Sequence, residues 1–207
     1  ILSCLLGCPF TMPPKTITTC IWVPTIVTVD TLKDFVTPRY LPDKSVMHYR
    51  VPDPGEEKRQ PKDAEVIVFT DHMNRGFSPP GSKFFRDIPH FFKLHPQDTG
   101  PNSISNIYNF QVFCVVYLQE EPSAELFREY FYLNRRNEFT NGPSLALGGI
   151  SIQRRRDAIF PQVALPSHPK DRNQTWFYCK DISPFDENPL SGYRAERLDS
   201  NYQLPDK

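Results

Sequence analysis

Three groups of side chains could carry chemistry. The first is Asp98-Thr99-Gly100. An Asp-Thr-Gly triplet on a tight turn can present its carboxylate to the same carboxylate of a second chain. Such a pair shares one proton and activates water, as in aspartic proteases of the retroviral type. The surroundings fit poorly. His95-Pro96-Gln97 stands where an apolar strand is required, Pro101 follows directly, and no flap is recognisable. Ala146-Leu147-Gly148 could imitate the later apolar-glycine element of such an enzyme. The competing reading is a polar loop that caps the next helix. Asp98 is the alternative catalytic residue, and the leading reading assigns none.

The second group is acidic and imidazole-bearing. His72, His90 and His95 lie near Asp71 and Asp87 in the sequence, but no histidine pair has the i, i+4 spacing that puts two ligands on one helical face. Asp30, Asp71, Asp87 and Glu129 could be arranged for two-metal nucleic-acid chemistry, yet a chain with 24 acids permits many such sets. No metal site and no cofactor are assigned. The third group is basic: Arg154-Arg155-Arg156, with Arg135-Arg136 before it. Guanidinium forks match phosphate oxygens. Phe160, Trp176 and Tyr178 nearby in sequence suggest charge plus stacking on nucleic acid. The competing reading is a solvated cluster, or a pairing with Glu120-Glu121.

Composition narrows the class. Lys plus Arg equals Asp plus Glu, so overall charge points to no nucleic-acid, membrane or acidic partner. The 207 residues are 39% hydrophobic and 13% aromatic, enough for a sizeable core and too apolar for a disordered chain. Twenty-two prolines against nine glycines predict short elements and many loops. The five cysteines, Cys4, Cys8, Cys20, Cys114 and Cys179, are odd in number and lack a CxxC pair. Reduced thiols in a nuclear or cytoplasmic protein follow from that. Asn173-Gln174-Thr175 fits a glycosylation sequon, which alone is weak. Ile1–Phe10 is apolar but broken by Cys, Gly and Pro, so 1–29 reads as an unstructured or atypical leader, with a truncated signal peptide as the alternative. A β-prone piece falls at Thr25–Val29.

The elements that would position these groups follow from pattern. Asp30 or Thr31 caps a short helix through Phe35, stopped by Pro38 and Pro42. Val46–Pro54 is extended or loop, and Gly55–Asp63 is a solvated loop. Glu65–Thr70 is a buried strand. After the turn cluster Gly76–Gly81, Ser82 caps a helix carrying Phe84, Phe85, Ile88, Phe91 and Phe92, which Pro89 should kink or split. Asn102 or Ser103 opens a helix to about Leu118, amphipathic at Ile104, Ile107 and Tyr108. Its apolar second half, Val112–Leu118, predicts burial on every side, with a strand as the alternative. Ser123 caps a third helix with Leu126, Phe127, Tyr130 and Phe131 on its apolar face. Gly142-Pro143 turns the chain into a strand over Leu145–Gln153, bent at Gly148-Gly149, and Thr175–Lys180 is a further strand. Residues 181–207 read as a polar, Pro-rich tail. The fold class is α+β: a mainly helical single domain with a few short strands.

A set of short pieces resembles a known family. They are Leu32-Lys33-Asp34-Phe35 with Tyr40-Leu41-Pro42, Val66-Ile67-Val68-Phe69, Gly76-Phe77 with Pro79 or Pro80 and Phe84, and Pro101-Asn102-Ser103-Ile104. Phe110 with Cys114, Pro122 with Leu126-Phe127 and Phe131, and Trp176-Phe177-Tyr178 complete the series. In order and spacing they are similar to plant gypsy-type transposon, or transposase, domains over about Thr31–Lys180. The resemblance makes 30–180 that domain and implies origin in, or domestication from, a plant retroelement. It carries over no catalytic residue. Pro89 and the unmatched first 30 residues depart from the family pattern. The resulting expectation is a non-catalytic interaction or assembly module, with self-association or nucleic acid as partner and Arg154, Arg155 and Arg156 as the contact. An Asp98 protease fragment and a metal-dependent transposase are the alternatives. No membrane and no small-molecule cofactor are expected.

Overall fold

The computed structural model describes residues 23–56, 61–62, 65–135, 150–161, 163–167 and 171–181. The aromatic run near the end of that span becomes a central strand. β1 (Met47–Arg50) and β2 (Val66–Phe69) flank β5 (Trp176–Asp181), both antiparallel to it. Register pairs Tyr49 with Cys179 on one side and Val68 with Phe177 on the other. Alternation across the pleat then divides the side chains. Val68, Phe177, Cys179 and Met47 enter the main core, and Ile67, Phe69, Trp176 and Tyr178 form a second cluster. Residues 23–28, which fall inside the expected leader, run beside that strand. Trp176 Nε1 donates to the Val23 carbonyl at 3.0 Å, and the Thr25 hydroxyl donates to the Trp176 carbonyl at 2.7 Å. Residues 1–22 of the leader and residues 182–207 lie outside the described residues, and Val29 opens the first helix.

Local chemistry explains the helices. In α1 (Val29–Val36) the cap is Thr28, two or three places before Asp30 and Thr31, the residues that the sequence suggested. Its hydroxyl accepts from Thr31 N at 3.2 Å, while Asp30 pairs with Lys33 at 2.8 Å. α2 (Thr70–Met73) is a single turn. Ser82 caps α3 (Lys83–Phe91) as expected, accepting from Phe85 N at 3.1 Å. Pro89 does not split that helix. It sits in the last turn, where only one carbonyl loses its intrahelical partner. α4 (Pro101–Val112) starts one residue before Asn102, with Gly100 as N-cap and Pro101 in the first position, where its missing N–H costs nothing. Gly76, at φ +96°, lies beneath the Tyr108 ring. A Cβ there would stand 2.6 Å from Tyr108 Cγ, so both conformation and space demand glycine.

α4 continues as a π-helical turn, Phe113–Leu118, which ends at Gln119 in the left-handed region. Helix rather than strand is therefore the conformation of 112–118, but the expected burial on every side fails. Val115, Val116, Tyr117 and Leu118 are 55%, 60%, 73% and 39% exposed, and only Cys114 is buried. α5 (Ala124–Tyr130) is capped by Ser123, whose hydroxyl accepts from Leu126 N at 3.1 Å. Phe131 leaves the helix and opens β3 (Phe131–Arg135), which pairs antiparallel with β4 (Ile150–Arg154). The sequence reading ran α5 through Phe131 and missed β3. Residues 145–149 of the expected strand, with its glycine bend, lie outside the described residues.

An aromatic core joins these parts. Phe127 stacks on Phe131 at 4.6 Å between ring centroids and meets Phe110 edge-on at 5.1 Å. Phe84 and Phe160 close around Phe110 at 5.7 and 6.2 Å. Edge-to-face and offset contacts of this kind add to the area that each ring buries. The class is α+β. Among the described residues, five strands in two sheets carry the architecture together with five short α-helices.

Candidate interaction site

The side chains singled out for catalysis are held apart or closed off. Asp98 is 2% exposed, in a 3₁₀ turn over Pro96–Asp98, and its carboxylate accepts from the His95 N–H at 3.1 Å. Thr99 donates to the Pro96 carbonyl at 2.7 Å, and Gly100 N donates to the Ile150 carbonyl at 3.1 Å. The triplet thus closes its own turn and ties it to β4. It does not cap α4 through a side chain. Of the histidines, His72 is buried, His95 half-buried and His90 exposed. Asp30 and Asp87 pair with Lys33 and Lys83, and Asp71 accepts from the Thr175 hydroxyl at 3.1 Å. Among the described residues no three His, Cys, Asp or Glu side chains could hold a metal ion. Burial raises the thiol pKa of both Cys114 and Cys179, away from nucleophilic reactivity.

The arginine run is built differently. Arg154 ends β4 and is exposed, and its Nη1 donates to the Phe160 carbonyl at 2.9 Å. A carbonyl uses one of five donors and leaves the charge intact. Arg155 is half-buried and points to α5, with its Nε donating to the Arg128 carbonyl at 2.9 Å. Arg156 is exposed. Among the described residues no ion pair joins the run to Glu120 or Glu121, so that pairing is not made within the chain. The proposed stacking partners are also committed elsewhere. Phe160 lies in the aromatic core, and Trp176 and Tyr178 are buried in the sheet cluster. Arg135 is the last residue of β3, and Arg136 lies outside the described residues.

What the sequence did not show is a groove beside Arg154, with a volume of about 470 Å³. Asn102, Asn106, Asn134, Ser151, Gln153 and Arg154 give it polar lining, and Phe131, Ile152 and Leu165 contribute apolar surface. α4 builds one wall by satisfying the outer edge of β4. Ser103 Oγ accepts from Ile152 N at 2.9 Å, and Asn106 Nδ2 donates to the Ile152 carbonyl at 2.9 Å. Asn102 Oδ1 is buried with no hydrogen bond among the described residues. The only signal was the polar set Asn102, Ser103 and Asn106 on α4, a helix that also carries Ser105, Asn109 and Gln111. Their partner strand lies too far along the chain to be inferred.

A second polar cluster covers Tyr178. The Arg50 guanidinium lies 4.1 Å over its ring and binds the Glu65 carboxylate through Nε and Nη2, both at 2.8 Å. Glu56 receives the Tyr178 hydroxyl and stands 3.7 Å from Arg50 Nη1. Its side chain is 8% exposed, so the loop read as solvated is folded down at this point. Burial pushes the Glu65 pKa up. The Arg50 hydrogen bonds and the Lys62 N–H outweigh that, and the carboxyl titrates below its ordinary value. Carboxylates occupy this cation, and the cluster fastens the 51–65 connection to the sheet.

No helix among the described residues is long and apolar enough to cross a membrane. Comparison with protein families matches residues 66–135, from β2 through β3, to the family described as "Putative gypsy type transposon". The match is narrower than the span Thr31–Lys180 suggested by the sequence pieces, and it leaves the arginine run and β5 outside. No curated protein and no solved structure matches the chain.

Proposed function

We propose, from the premise that residues 66–135 form a gypsy-type transposon domain, that this chain is a non-catalytic interaction module of a retroelement-derived protein and contacts nucleic acid through Arg154 and Arg156. The observation that carries the reading is Arg154, oriented by the Phe160 carbonyl at the side of an amide-lined groove. A guanidinium held in place without neutralisation loses little freedom on meeting a phosphate. Amide side chains offer a donor and an acceptor together, the pattern that matches exposed base edges. Arg155 has a positioning part in this arrangement, since it is turned toward α5.

The test is binding of the full chain to single-stranded and duplex nucleic acid across a salt series. Affinity should fall with salt, and Arg154→Ala and Arg156→Ala should each lower the slope of log K against log salt by about 1, the value for one lost phosphate contact. Unchanged affinity and slope in both variants, or no binding by the wild type, would overturn the contact.

A further inference from the structure

We infer that the groove between α4 and β4 receives one unpaired nucleobase, so that this chain selects single-stranded over duplex nucleic acid. This names the ligand of the Arg154 site and rests on the nucleic-acid contact proposed above. The lining is selective. Among the described residues no acidic side chain lines the groove, and Arg154 is its one charged group. Such a lining repels a cation and suits a ligand with an anionic arm. The amides are of two kinds. Gln153 is occupied within the chain, since its Nε2 donates to the Ser151 hydroxyl at 3.2 Å and its Oε1 accepts from the Tyr132 hydroxyl at 2.8 Å. Asn106 gives an N–H to Ile152 and keeps its oxygen, and the Asn134 side chain has no hydrogen bond among the described residues.

Shape selects an unpaired base. The volume of about 470 Å³ falls in the range that encloses a small ligand, roughly 300–1,000 Å³. The polar groups line a concavity. Reading a duplex requires the reverse, a protein element that protrudes into the DNA groove and reaches base edges held inside the stack. A base enters a concave site only when it is splayed away from its neighbours, as in a single strand. The face of such a base is apolar, and exposed Val163 and Leu165 border the groove and can cover it. Its edge carries donors and acceptors for Asn106 and Asn134. Its phosphate has the remaining donors of Arg154, with exposed Arg156 two residues further along. The wall bearing Val163 and Leu165 is fastened on both sides. Arg154 holds the Phe160 carbonyl, and Arg75 Nη2 donates to the Ser167 carbonyl at 2.9 Å. A wall fixed in advance loses little freedom when a ligand docks.

Fluorescence anisotropy on the full chain compares three labelled probes: a single strand, its duplex, and the same sugar–phosphate strand without bases. The single strand should bind tighter than either of the others by about tenfold or more. Asn134→Leu and Leu165→Ser should each weaken single-strand binding by about threefold or more and keep the wild-type salt slope, because neither removes a phosphate contact. Circular dichroism matching the wild type checks that each variant is folded. A duplex or base-free strand that binds as tightly as the single strand, or two folded variants that bind like the wild type, would overturn this inference. An Arg154-dependent salt slope in that experiment leaves the contact itself standing. A wild type that binds none of the three probes removes the contact and this inference with it. A glutamate peptide that displaces the labelled strand as well as unlabelled strand does would make the groove a peptide site and also overturn the inference.

Discussion

The inner face of α5 and the π-helical turn after α4 are alike in composition and opposite in surroundings. Phe127 on α5 is fully buried among Phe84, Phe110 and Phe131. Val116, in a run just as apolar, is 60% exposed. The difference lies in what each faces. α5 packs against α3 and leads into β3, so its rings find other rings. In the turn only Cys114 and half-buried Phe113 reach the core. Apolar side chains are driven from water wherever a complementary surface exists, and residues 115–118 stay 39–73% exposed.

Substitutions can break or sharpen that comparison. The largest effect is expected at Phe127→Ala, which leaves a cavity in the aromatic core and should cost about 3–5 kcal/mol in urea unfolding. A loss below about 1 kcal/mol would erase the contrast. Phe113→Ala should fall between the two regions, at about 1–3 kcal/mol, because its ring touches Phe160 and Tyr130 but is only half-buried. The sequence alone put both phenylalanines in one class, and equal costs would restore that view.

A third test concerns acid. Glu65 titrates below its ordinary value in the folded chain, so its contribution to stability is present above the unfolded carboxylate pKa and lost as pH falls through the lower folded one. Glu65→Gln should lower stability at neutral pH and flatten the acid limb of the stability curve. An unaltered limb would show that the Arg50 cluster holds nothing down. The smallest effect is expected at Val116→Ser, within about 0.5 kcal/mol in dilute solution, since the side chain is 60% exposed. A loss comparable to that of Phe113→Ala would mean that the turn is packed after all.

Legibility followed distance along the chain. Ser82 and Ser123 were readable as caps because each bonds an amide within its own first turn. β2 and β5 were readable from β-branched and aromatic runs. β1 was readable only as extended or loop and β3 not at all, because each becomes a strand by pairing with a segment outside itself, Trp176–Asp181 for one and Ile150–Arg154 for the other. The cap of α1 was misplaced because two threonines and an aspartate compete within four positions, and backbone geometry chose Thr28. At the candidate site, Arg154 was legible as charge. The groove beside it was not, because its walls come from α4, β3, β4 and the chain after Phe160.

The sequence by itself determined the Ser82 and Ser123 caps, the strand character of Val66–Phe69 and Trp176–Lys180, and the family that residues 66–135 match. These depend on residue types within a turn or a short run of chain. Tertiary structure alone decided that Asp98 is sealed in its own turn, that Arg155 points to α5 while Arg154 borders a groove, and that Val115–Leu118 face water. The physical reason is that burial and hydrogen-bond partnership belong to pairs of surfaces, and most of these pairs join segments remote from each other along the chain.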